Sequence, residues 1–170
     1  MASTEPSYHE HVESAAWFAL IVRLLVLAPL LGVIAAVRDP ELSANERTGT
    51  IVLLGAASIV LGIFAPWLLS VRIDVDPQVL RFRIGPFRRT LVASTVATAR
   101  VERYSALAYG GWGWRFEWRR GRAAQAYTVP FLRTGVQVTT REGRTYYISS
   151  RAPQRLAQAI VTMQRGAGPG

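Results

Sequence analysis

Two long apolar runs near the N-terminus limit what this chain can fold into more than any other feature. Residues 15–37 (AAWFALIVRLLVLAPLLGVIAAV) carry a single charge, Arg23. At 1.5 Å per helical residue the run reaches roughly 34 Å, enough for a hydrocarbon layer of about 30 Å. A polar connector follows, with turn formers Asp39-Pro40 and Asn45. Residues 51–71 (IVLLGAASIVLGIFAPWLLSV) are uncharged and reach roughly 31 Å by the same rise. The pair predicts a transmembrane helical hairpin over 15–71. A cleaved signal peptide is the rival reading of the first run. It fits badly, because no arginine precedes Arg23 and the run is too long for a signal peptide's apolar stretch. Pro29 and Pro66 fit the hairpin, since membrane helices tolerate proline. Residues 1–14 (MASTEPSYHEHVES) are polar and acidic and read as a mobile tail.

Beyond the second run the hydrophobic period changes to two. Val71, Ile73 and Val75 alternate with Arg72, Asp74 and Asp76; after Pro77-Gln78, Leu80, Phe82 and Ile84 alternate with Arg81 and Arg83. This predicts a two-stranded hairpin with one buried face, interrupted at Gly85-Pro86. Further strands are expected at 89–93 and 96–104. Residues 108–113 (AYGGWG) are too glycine-rich for a regular element and read as a loop. Trp112, Trp114, Phe116 and Trp118 then alternate with Gly113, Arg115 and Glu117, a strand pattern. Residues 119–122 (RRGR) read as a turn, with strands at 126–131, from 136, and at 145–149 after a turn at Glu142-Gly143. In the ending SSRAPQRLAQAIVTMQR, a serine N-cap, Pro153 and helically spaced Leu156, Ile160 and Met163 predict an amphipathic helix. About seven strands and one closing helix thus occupy 72–165, and 166–170 read as a disordered end. Four large aromatics at one edge would crowd so small a core. Trp114, Phe116 and Trp118 are therefore expected inside. Trp112 is expected on the glycine-rich loop, partly exposed and available to a membrane interface or partner.

This layout resembles the bacterial pleckstrin-homology-like membrane proteins. The resemblance rests on VRIDVDPQVLRFRIG straight after the second apolar run and on GRTYYISSRAPQRLAQAI, where Gly143, Ile148, Pro153, Leu156 and Ile160 match that group's final hairpin-to-helix pattern. The stretch ALAYGGWGWR is also similar to a segment in small bacterial membrane proteins of this layout. The resemblance implies an α+β membrane protein: two transmembrane helices, then a pleckstrin-homology-like antiparallel β-barrel or sandwich with a C-terminal helix. Its motifs are architectural and imply no activity, and no phosphoinositide-type lysine motif is present.

Charge divides the chain. Lysine is absent; residues 1–71 hold three arginines against six acids, and 72–170 hold 17 arginines against five acids. Arg72, Arg81, Arg83, Arg88 and Arg89 crowd the flank after the second run, whereas the connector has only Arg38 and Arg47. The positive-inside rule then puts the β-domain in the cytoplasm, with both termini there and the connector outside, and the resemblance implies that the membrane is a bacterial inner membrane. The arginine-free tail departs from that rule.

With no cysteine, and with His9 and His11 both in the tail, thiolate and histidine-centred chemistry is not expected. Asp74 and Asp76 share a strand face, a spacing seen in metal sites, but cross-strand pairing with Arg81 and Arg83 is the simpler reading. His9-Glu10-His11 is a weak metal pattern in a flexible tail. There is no phosphate-binding glycine loop and no nucleophile elbow. The expectation is a non-catalytic protein without cofactor or metal.

Two readings of the arginine excess stand: attraction to the anionic cytoplasmic leaflet, and a chain that uses arginine in place of lysine on a solvated face. The first assigns lipid contact to Arg88, Arg89, Arg119, Arg120, Arg122 and Trp112. Nucleic-acid binding, suggested by aromatics among arginines at 112–120, is disfavoured because alternating aromatics more often build a core. Arg23, in the middle third of its helix, costs at least about 2.5 kcal/mol in a bilayer. It either snorkels to the interface or meets a polar group of another subunit. The function expected is a membrane-anchored binding or scaffolding protein, an accessory subunit with a protein partner in the membrane. The alternative is an enzyme or transport component whose chemistry a partner or cofactor supplies.

Overall fold

In the computed structural model, which describes residues 8–105, 111–119 and 122–167, the two apolar runs become helices α1 (Ala16–Arg38) and α2 (Ala44–Phe64). Both are long and apolar enough to cross a membrane. α2 starts seven residues before the uncharged run because a capping box nucleates it. The Ser43 hydroxyl accepts from the Glu46 backbone N–H at 3.4 Å, and the Glu46 carboxylate accepts from the Ser43 N–H at 3.0 Å. The connector is pinned by Arg47, whose guanidinium donates to the Asp39 carbonyl at 2.6 Å. α2 also stops earlier than expected. Pro66 has no N–H to continue the ladder, so residues Ala65–Leu68 tighten into a 3-10 turn. The end of the second apolar run is therefore strand: Ser70 and Val71 begin β2. α1 and α2 pack closely at Gly32, where a Cβ would lie 2.7 Å from Leu54 Cδ1.

The helical pair, Ala15–Trp67, is one compact unit; the second joins the N-terminal segment to everything from Leu68 on. Its first sheet has the order β1-β2-β3-β4, all antiparallel, with β1 Tyr8–Glu13, β2 Ser70–Val75, β3 Val79–Ile84 and β4 Phe87–Val92. Part of the expected tail is thus an edge strand. Only Val12 in β1 is a buried apolar residue, so YHEHVE shows no hydrophobic alternation. Polar bonds hold it instead. The Glu10 carboxylate accepts from Tyr8 Oη (2.6 Å), Ser150 Oγ (2.6 Å) and the Arg151 N–H (2.7 Å).

The second sheet has the order β5-β8-β9-β7-β6, from β5 Val96–Arg103, β6 Gly113–Arg119, β7 Arg122–Thr128, β8 Thr134–Thr140 and β9 Thr145–Ser149. Of the expected barrel or sandwich, the closed barrel is excluded, since the strands form two separate sheets, and the expected all-antiparallel pairing is corrected at β7 and β9, which pair in parallel. A 3-10 turn at Ala93–Thr95, with Ala93 buried, separates β4 from β5 and takes the chain from one sheet to the other. The core lies between the sheets: Ile73, Leu80 and Phe82 face Tyr127, Val138 and Tyr146. The Phe82 ring meets Tyr127 edge-on, with centroids 4.7 Å apart. α3 (Pro153–Gly166) closes this core with Leu156, Ile160 and Met163, the three positions its sequence spacing indicated. No serine side chain caps α3; Ser150 Oγ donates to Glu10 and accepts from the Ala152 N–H.

Candidate functional site

Because β2 and β3 alternate strictly, their polar residues share the outer face of the first sheet. The Gly85-Pro86 turn sets the next register, placing Arg83 opposite Arg88. β2 places Arg72 opposite Arg83, and β1 places His11 opposite Arg72. One transverse row therefore reads His11–Arg72–Arg83–Arg88. The neighbouring row reads His9–Asp74–Arg81–Thr90. Directly opposed residues have Cβ atoms about 4.5–5.5 Å apart, and like charges there are mutually destabilising.

The carboxylates on this side are engaged elsewhere. His9 Nδ1 contacts Asp74 Oδ1, Arg81 pairs with Asp76, and His11 Nδ1 lies 3.7 Å from Glu13. Cross-strand pairing of the Asp74/Asp76 face holds for Arg81 but not for Arg83. Among the described residues, Arg72, Arg83 and Arg88 make no ion pair and no side-chain hydrogen bond. They line a half-open cleft of about 260 Å³ with His9, Asp74 and Arg81. Among the described residues no three imidazole or carboxylate groups converge.

The other expected site residues scatter. Arg89, next to Arg88, points to the opposite face: its Nε donates to Tyr146 Oη at 3.3 Å, and its guanidinium lies 5.8 Å from the Tyr146 ring centroid. It is a packing residue at the edge of the core. Trp112 is half-buried over Tyr104, Ala126 and Tyr147 on the far side of the second sheet, 4.7 Å from the Phe131 ring. Trp114 stacks on Phe87 at 4.2 Å with planes 5° apart. Phe116, expected in the core, is 53 % exposed. β6 is the last strand of its sheet, and the covering layer reaches Trp114 but not Phe116. Arg119 and Arg122 face each other across the β6–β7 connection. Their side chains, that of Trp118 and all of Arg120 lie outside the described residues. Arg23 is exposed on α1.

Two tyrosines on the inner side are shifted. Burial, then the neighbouring Glu10 carboxylate, pushes the Tyr8 phenol up to about 12. Burial raises Tyr127 as well. Neither group lines the cleft.

Sequence reasoning counted Arg72 only as flanking charge, expected Arg83 to pair with the Asp74/Asp76 face, and left His9 and His11 in the tail. The turn at Gly85-Pro86 was the available signal for the Arg83–Arg88 pairing. The chain matches no family model, and no curated protein matches it.

Proposed function

We propose that this chain is a two-span protein of a bacterial inner membrane whose β-unit is a cytoplasmic, non-catalytic binding or scaffolding module. It acts as an accessory subunit beside a protein partner in the membrane. The observation that carries this reading is the surface of α1 and α2. Leu20, Leu24, Leu31, Leu53 and Ile59 are all exposed, and only Val22, Ala36 and Ser58 are buried. A helix that is apolar all round requires a lipid or protein surround. The base of the pair supports an even number of crossings, since the chain leaves at Ser14 and returns at Leu69, to which Ser14 is bonded. The arginine-rich flank supports a cytoplasmic β-unit facing the anionic leaflet. Strands closed by a C-terminal amphipathic helix support the pleckstrin-homology-like reading of the fold.

The test uses the full chain with a reporter fused after Gly170. The expected result is a carbonate-resistant protein whose reporter is active only in the cytoplasm. Extraction by carbonate would remove the spans from this reading, and a reporter active outside would reverse its orientation. Purification in mild detergent should recover a stoichiometric partner. If Arg23 meets a polar group of that partner, Arg23→Leu reduces its recovery.

A further inference from the structure

We propose that the cleft over Arg72, Arg83 and Arg88 is a binding site for a phosphate monoester group. This deepens the binding-module reading by naming the ligand chemistry, and it rests on that reading but not on the membrane spans.

Three arginines stand directly opposite one another on three adjacent antiparallel strands. Such an arrangement repels itself, and the sheet does not relieve it. Asp74 and Asp76 are the nearest carboxylates in sequence, and they are held by His9 and Arg81. A solvated basic face needs no such alignment; a polyanion does. The cleft, about 260 Å³, has room for a phosphate group and a small substituent.

The donors select the ligand. Each guanidinium presents a planar fork that matches carboxylate or phosphate oxygens. Three arginines lining one cleft suit a group with three terminal oxygens and a charge of about −1.5 to −2, which a phosphate monoester carries at neutral pH. A carboxylate or phosphodiester has one charge and two such oxygens. Two sources supply this chemistry: a phosphomonoester lipid headgroup and a soluble phosphate. Arg72 stands only three residues after Leu69, so the row lies at the end of the sheet where the chain arrives from α2.

The experiment uses the full chain. In detergent, its melting temperature is measured with inorganic phosphate against chloride at matched ionic strength. In nanodiscs of phosphatidylcholine, phosphatidic acid is compared with phosphatidylglycerol at equal fractions. Stabilisation by inorganic phosphate supports the proposal and identifies a soluble source. Stabilisation by phosphatidic acid alone, beyond phosphatidylglycerol, supports it and identifies the headgroup. Arg83→Gln and Arg88→Gln should each weaken the effect about tenfold or more, while leaving the ligand-free melting temperature unchanged or higher. Arg100→Gln, which removes the same charge from the second sheet, should leave the effect intact. No stabilisation by either probe, or an effect that persists in both row variants, overturns the proposal. Because the detergent arm needs no bilayer, its outcome is separate from that of the topology reporter.

Discussion

The backbone N–H of Ser14 donates to the carbonyl of Leu69 at 2.7 Å, closing the β1–β2 ladder at the point where the chain enters and leaves the helical pair. The bond joins residues 55 apart in sequence, and everything between them is the α1–α2 unit and its exit turn. The N-terminal strand is therefore part of the β-unit, although the helices separate the two in sequence.

Glu10 is the polar centre of that attachment. Glu10→Ala removes an acceptor shared by Tyr8, Ser150 and Arg151 and should destabilise the β-unit by about 2–3 kcal/mol. Denaturant unfolding of the full chain measures the loss. Limited proteolysis should then cut between residues 8 and 13, which the wild-type ladder protects. A variant as stable and as protected as wild type would show that β1 adds nothing.

Tyr8 makes the same region sensitive to alkali. Its phenol ionises near pH 12 in the folded chain and near 10 when unfolded. Below pH 10 both forms hold the proton and stability is flat. Between about 10 and 12 the unfolded state loses it first, so stability falls as pH rises. The raised Tyr127 acts with the same sign. Tyr8→Phe should flatten part of the slope in denaturant midpoints taken from pH 9 to 12, and an unaltered slope would count against burial of Tyr8.

Gly135 occupies a position with no space for a side chain. A Cβ there would lie 2.3 Å from the Ile148 carbonyl oxygen and 2.8 Å from Tyr147 Oη. The clash is with backbone, which cannot rotate away. Gly135→Ala should cost at least about 1–3 kcal/mol. Gly166→Ala, at a site with nothing within 4 Å, should be neutral or slightly stabilising. Equal thermal midpoints for the two variants would contradict the packing at β8 and β9.

Trp114 and Phe116 share a face of β6 but differ in consequence. Trp114→Ala removes the ring stacked on Phe87 and should cost about 2–4 kcal/mol, somewhat under a fully buried truncation. Phe116→Ala, at an exposed position, should stay within about 0.5 kcal/mol. Denaturant melts of the two variants decide it, and comparable losses would place Phe116 in a packed interface.

Local pattern determined much of this protein. The apolar runs specify two long helices because length and hydropathy need no tertiary partner to be read. The alternation in VRIDV and VLRFRI specifies β2, β3 and their buried face, and the spacing of Leu156, Ile160 and Met163 specifies how α3 meets the core. Tertiary structure decided the rest. β1 carries one buried apolar residue, so its pairing depends on Glu10 meeting Ser150 and Arg151, partners about 140 positions away. Alternation shows that Trp114 and Phe116 share a face, but only the reach of the covering layer partly buries one and leaves the other exposed. The arginine row follows the same logic. Each strand shows its own polar face in sequence, yet whether Arg72, Arg83 and Arg88 align depends on the registers of two strand pairs, and a slip of one residue would have turned a strand's side chains to the other face.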